Sequence, residues 1–205
     1  MRHLPNSLTV LRILFCPVLF YMILESSSPG GYLLTYYIFL IAALTDIYDG
    51  ILARRHKNIT TFGKLVDPIA DKLLLAASLI PFYMLSETIE PCRHVTLLIL
   101  AILLGREILI TGLRYYSMWR GKVFSASRLA KFKTAFQMFF IGSVLVHLFQ
   151  RQMMLEYPKF SYPWFDNIHF WLNVAIILTV VTLSIASAGE YLIKNLPTLS
   201  NHSRA

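Results

Sequence analysis

Charge is scarce in this sequence. Charged residues make up 15% of the 205 residues, where soluble domains carry about 25%. With 56% hydrophobic residues, that shortage excludes an ordinary water-facing surface and implies a polytopic membrane protein. Acidic residues are rarer still, 11 Asp+Glu against 19 Lys+Arg, for a net charge of +8. In a soluble protein such an excess would suggest nucleic acid. In so apolar a chain it reads as positive-inside topology plus contact with anionic membrane lipids, so no nucleic-acid partner is expected. The two cysteines, Cys16 and Cys92, fall in an apolar segment and a loop, which excludes a disulfide framework or a metal–thiolate site. There is no internal repeat and no separate soluble domain, so residues 1–205 read as one membrane domain. Residues 1–5 are too short for a cleaved leader ahead of the first span.

The few acidic residues are concentrated where they are costly. Residues 46–71 read DIYDGILARRHKNITTFGKLVDPIAD, with aspartates paired as Asp46/Asp49 and Asp67/Asp71. On helices, spacings of i,i+3 and i,i+4 put each pair on one face. An aspartate near the middle of a membrane helix costs roughly 2.5–3.5 kcal/mol, so four of them need compensating charge. Hard divalent cations bound by carboxylate oxygens supply it, and Mg²⁺ typically bridges carboxylates to substrate phosphates. Between the pairs lie Gly50, Ala53, Arg54 and Gly63, small residues and a cation able to meet a phosphate. Solvated surface carboxylates are the plainer explanation, but the flanking segments are too apolar for it.

The pattern Asp46-x2-Asp49-Gly50-x2-Ala53-Arg54-x8-Gly63-x3-Asp67-x3-Asp71 resembles the complete signature of the CDP-alcohol phosphotransferases. At about 5–8% per residue type, eight fixed identities arise by chance on the order of 10⁻¹⁰ to 10⁻⁹ per starting position. The resemblance implies transfer of a phosphatidyl or related group from a CDP-activated donor to an alcohol, with release of CMP. It implies that Asp46, Asp49, Asp67 and Asp71 bind one or two Mg²⁺ or Mn²⁺ ions. Asp71 would also be the general base on the acceptor hydroxyl, which requires it to be ionised, as nearby metal charge favours. The CDP moiety would lie against Asp46, Gly50, Ala53, Arg54, Gly63 and Asp67, with Arg54 on its phosphates. A homodimer is implied as well.

Hydropathy predicts an all-α fold of six transmembrane helices, at about residues 8–24, 33–53, a start between 60 and 67 running to 85, then 94–116, 130–149 and 169–193. Pro68 suits the first turn of the third. The opening Asn6-x2-Thr9-x2-Arg12 has counterparts in the family, which implies a role at the site; it also reads as a helix start with Asn6 or Ser7 as N-cap. Residues 150–168, rich in aromatics with two prolines, read as an interfacial loop. Ser184, Ala186, Ser187, Ala188 and Gly189 suit close helix packing in the sixth span, and the tail from 194 reads as poorly ordered.

Orientation follows from the cations. With the N-terminus in the cytoplasm, only Arg93, Arg151 and Lys159 fall on the opposite side, while Lys72 and Arg106 lie within spans. The remaining Lys and Arg gather on the cytoplasmic side, which sets the topology of a multi-pass inner-membrane protein. A cavity holding the four aspartates would then face the cytoplasm.

A second cluster occupies residues 106–134. Arg106 and Glu107 are adjacent and leave the helix on different faces, whereas Glu107, Thr111 and Arg114 share a stripe. The first two read either as a buried interhelical ion pair or as functional charges. Lys131 and Thr134 share a face, and Lys133 points about 200° from Lys131. Both lysines reach one ligand only if the helix starts between them or their stems snorkel. The string Arg106-Glu107, Arg114, Gly121-Lys122, Lys131-x-Lys133-Thr134 and Gln137 is similar to family members whose acceptor is glycerol-3-phosphate. Donor and acceptor are then CDP-diacylglycerol and glycerol-3-phosphate, the latter's phosphate held by Arg106, Arg114, Lys131, Lys133 and Thr134. Cardiolipin synthases share related K-x-x-T segments, and an inositol-phosphate acceptor needs similar cations. A divalent-cation transporter is disfavoured because the far-side halves of the spans are nearly uncharged.

Overall fold

The structure, a computed structural model, describes residues 4–56, 61–89, 93–119, 128–160 and 162–200. Among these residues the fold is all-helical. The helices are α1 (Leu4–Glu25), α2 (Pro29–His56), α3 (Thr61–Ile89), α4 (Arg93–Trp119), α5 (Arg128–Glu156) and α6 (Pro163–Ser200), with a 3₁₀ turn at Pro158–Phe160.

Local chemistry explains several boundaries. Pro29 and Pro163 each open a helix, where the missing amide proton costs nothing. Ser28 caps α2, its Oγ accepting the Gly31 amide at 3.2 Å. A Cβ on Gly31 would lie 3.1 Å from Ser26 Oγ, so any larger residue there must displace the Ser26 side chain.

Four expectations are corrected. α1 begins at Leu4 with Pro5 in its first turn, so Asn6 and Ser7 lie inside the helix and neither is its N-cap. Pro68 lies within α3, beyond the first turn, because that helix begins at Thr61. The loop expected over 150–168 is mostly helix: α5 continues to Glu156 and α6 starts at Pro163. The tail expected from 194 is helical as far as Ser200.

The chain divides into two compact units, Met1–Arg93 with Ile141–Phe170, and His94–Phe140 with Trp171–Ala205. In the first, α1 packs on both α2 and α3. Its buried residues include Leu19 and Ile23 of α1, Phe39 and Ala42 of α2, and Ala70 and Leu74 of α3. Gln152 Nε2 donates to Ser27 O at 2.6 Å and ties the end of α5 to the α1–α2 turn. In the second unit Leu103 and Ile110 of α4, and Ile176 and Val180 of α6, are buried. Of the small residues on α6, Ser184 and Ser187 are buried. Ala186 is exposed, and a Cβ on Gly189 would meet nothing within 4 Å. Ala188 is half-buried, so among these five positions the serines are the fully buried ones.

Among the described residues, three stretches are long and apolar enough to cross a bilayer: Val95–Ser117 (23 residues), Leu129–Glu156 (28) and Trp164–Ile193 (30). At 1.5 Å per residue each exceeds a hydrocarbon core of about 30 Å. A shorter apolar run covers Pro29–Thr45. Leu98, Ile108, Leu109, Leu178 and Ile185 on these helices are exposed, a surface that water penalises and lipid solvates.

Candidate active site

The aspartate signature lies in the first unit, on the two helices that pack against α1. The end of α2 carries Asp46, Asp49, Gly50, Ala53 and Arg54, and α3 carries Gly63, Asp67 and Asp71. Both segments are helical, so i,i+3 spacing puts Asp46 and Asp49 on one face, and i,i+4 spacing does the same for Asp67 and Asp71. The side chains of Asp46, Asp49, Arg54 and Asp67 lie outside the described residues, as do the structural environments of Gly50, Ala53 and Gly63.

Asp71 is described, and its partner comes from α1. Arg12 Nη1 donates to Asp71 Oδ1 at 2.6 Å, a charge-assisted contact at the short end of the usual range. The two ends of the pair differ in exposure: the Arg12 side chain is 1% exposed and that of Asp71 46%. One turn earlier on the same face of α1, Thr9 is also buried, and Cys16 Sγ donates to Arg12 O at 3.2 Å one turn later. The guanidinium is thus buried by helix packing, while the carboxylate it holds is nearly half exposed. Arg12 lies outside the aspartate signature, and the Asn6-x2-Thr9-x2-Arg12 opening is the sequence feature that points to it. The side chain of Asn6 lies outside the described residues.

The donor set suits a hard divalent cation. Four carboxylates on adjoining segments offer only oxygen ligands, the preference of Mg²⁺ and Mn²⁺, and Asp71 is exposed enough to take a ligand. Among the described side chains, no group of three or more His, Cys, Asp or Glu residues is placed to hold a metal.

The second unit gathers part of the 106–134 cluster around one carboxylate. Glu107 Oε1 accepts Arg106 Nη1 at 3.2 Å and pairs with Lys133 Nζ of α5. Arg106 Nη2 also donates to Ser187 Oγ of α6 at 2.8 Å, and that hydroxyl donates to Ser184 O at 3.0 Å. Glu107 does form an interhelical ion pair, but with Lys133. Arg106 leaves on another face, and its long side chain folds back to the same oxygen. α5 begins at Arg128, ahead of both lysines, so the helix does not start between them. Lys133 points inward and is 2% exposed, whereas Lys131 and Thr134 are exposed. Thr134 Oγ1 donates to Ala130 O at 3.0 Å, and Arg114 is exposed. Gly121 and Lys122 lie outside the described residues.

A family model for CDP-alcohol phosphatidyltransferases matches residues 2–186. Curated relatives agree with it. The chain is 34% identical over 206 residues to the CDP-diacylglycerol–glycerol-3-phosphate 3-phosphatidyltransferase of Bacillus subtilis (strain 168), covering 95% of this chain and 96% of the relative. A protein of the same name from Rickettsia typhi is 42% identical over 150 residues, 71% of this chain and 78% of the relative. One from Cereibacter sphaeroides is 32% identical over 219 residues, 97% of each.

Proposed function

The chain belongs to the CDP-alcohol phosphatidyltransferase family, and from that premise we propose that it transfers a phosphatidyl group from CDP-diacylglycerol to glycerol-3-phosphate. The observation that carries this reading is similarity along nearly the whole chain to relatives named for that reaction. The complete aspartate signature between Asp46 and Asp71 supports it.

The acceptor hydroxyl oxygen bonds to the phosphorus that carries diacylglycerol, the bond from that phosphorus to CMP breaks, and CMP leaves. The hydroxyl proton passes to the Asp71 carboxylate. Asp46, Asp49, Asp67 and Asp71 are the residues that would hold Mg²⁺ or Mn²⁺, which when bound neutralises the pyrophosphate and stabilises the departing oxygen. Gly50, Ala53 and Gly63 leave room for the CDP moiety, and Arg54 meets its phosphates. The acceptor phosphate is assigned to Arg106, Arg114, Lys131, Lys133 and Thr134. Arg106 and Lys133 already share Glu107, so Arg114 and Lys131 are the cations whose loss should be read most directly in acceptor binding.

This reading includes six membrane spans, α1 to α3 joining the three long apolar helices, both termini and the active site on the cytoplasmic face of the inner membrane, and a homodimer. The excess of Lys and Arg on that side supports the orientation. The decisive experiment is CMP release from CDP-diacylglycerol by the purified enzyme offered glycerol-3-phosphate, phosphatidylglycerol or an inositol phosphate. Turnover with glycerol-3-phosphate alone is expected; preference for another acceptor would overturn the assignment.

A further inference from the structure

We propose that Arg12 is a positioning residue for phosphatidyl transfer: from α1 it fixes the Asp71 carboxylate in the orientation in which that group meets the acceptor hydroxyl. The inference rests on the assignment of Asp71 as the base.

Three observations carry it. The contact is short, 2.6 Å from Nη1 to Oδ1. It is asymmetric, because Arg12 is 1% exposed and Asp71 46%, so the cation is buried in the helix packing while the carboxylate it holds is nearly half exposed. It also joins the two helices through their packing, since α1 lies against α3. An aspartate's χ2 is broad, with no deep staggered minimum to hold the carboxylate plane. A donor anchored in a neighbouring helix, here one N–H of a planar guanidinium whose plane is held by packing, restricts that freedom.

Stability alone is a weak reason for this pair. Taking a guanidinium out of water is expensive, and apolar replacements of buried ion pairs are often neutral or stabilising. Orientation gives it a use, because misplacing a reacting group by about 1 Å can cost roughly 10²-fold in rate. Arg12 touches neither substrate in this scheme and takes no proton; it acts through Asp71.

The test compares Arg12→Met, Arg12→Lys and Asp71→Asn in the purified full-length enzyme, reading CMP release, both KM values and the melting temperature. Arg12→Met is expected to lower kcat by about tenfold to a hundredfold, with both KM values within about twofold of wild type. Arg12→Lys keeps the charge but not the planar, rigid donor, so its kcat falls several-fold and lies between those of wild type and Arg12→Met. Wild-type kcat in Arg12→Lys overturns the proposal, and this variant decides the matter if Arg12→Met does not fold. A lower melting temperature with unchanged kcat, measured well below melting, overturns it in favour of a purely structural role. A raised CDP-diacylglycerol KM at constant kcat also overturns it and makes Arg12 a donor ligand. Asp71→Asn separates the two levels. Wild-type turnover there removes the underlying assignment of the base. Lost turnover there beside wild-type turnover in Arg12→Met removes Arg12 alone.

Discussion

Arg12 and Asp71 are 59 residues apart in sequence and 2.6 Å apart in space. The contact connects the opening of the chain with the last aspartate of the signature. It ties α1 to the helix that carries the second half of the signature, although α1 carries no acidic residue of that signature. Glu107 and Lys133 form a comparable interhelical pair in the second unit. Both pairs place a buried cation against a carboxylate, but only the first leaves its carboxylate nearly half exposed.

The signature aspartates are expected to be indispensable. Asp49→Asn or Asp67→Asn should reduce CMP release by a hundredfold or more in correctly inserted protein, because a neutral amide is a poor substitute for a charged oxygen ligand. Wild-type turnover at saturating Mg²⁺ in either variant would remove the metal-ligand assignment.

Metal removal tests the same site without mutation. Enzyme stripped with EDTA should release no CMP, and Mg²⁺ or Mn²⁺ should restore turnover in a saturable way. Full activity after exhaustive chelation would contradict the role given to the four carboxylates.

Acceptor recognition should separate from donor recognition. Losing a charge-assisted contact costs about 1.5–3 kcal/mol, roughly tenfold to more than a hundredfold in affinity. Arg114→Ala and Lys131→Ala should raise the glycerol-3-phosphate KM by that factor and leave the CDP-diacylglycerol KM nearly constant. If only the donor KM rises, these cations serve the lipid donor instead.

Lys133 is expected to behave differently from Lys131. Its ammonium is buried against Glu107, so Lys133→Met should lower the melting temperature. The cost lies toward the lower end of about 3–5 kcal/mol for breaking a buried pair, because Arg106 still partners the carboxylate. Adding Glu107→Gln should recover part of that loss. A normal melting temperature with a raised acceptor KM would remove the clamp and leave Lys133 its place on the acceptor phosphate alone.

Topology can be checked by labelling. In a chain with Cys16 and Cys92 replaced by alanine, single cysteines placed in residues 55–62 and 118–128 should react from the same side of the membrane. Labelling from opposite sides would rule out the six-span arrangement.

The signature itself was legible from sequence because its geometry is local. Spacings of three and four residues fix which carboxylates share a helix face whatever the helix packs against. That Lys131 and Lys133 leave their helix about 200° apart was legible in the same way; that Lys133 is the inward one was not, because it depends on Glu107 of another helix. The helix ends near residues 150–168 were not. Pro158 and Pro163 look like loop markers in sequence, yet one sits in a 3₁₀ turn and the other opens α6. Pro5 likewise let α1 start ahead of Asn6. The partners Arg12–Asp71 and Glu107–Lys133 were beyond any spacing rule, because each joins two helices. Sequence determined which charges enter the apolar helices; only the packing of α1 on α3, and of Glu107 against Lys133, decided which charge from another helix answers them, since a buried ion left without a counter-charge is costly and no spacing rule along one helix names a partner on the next.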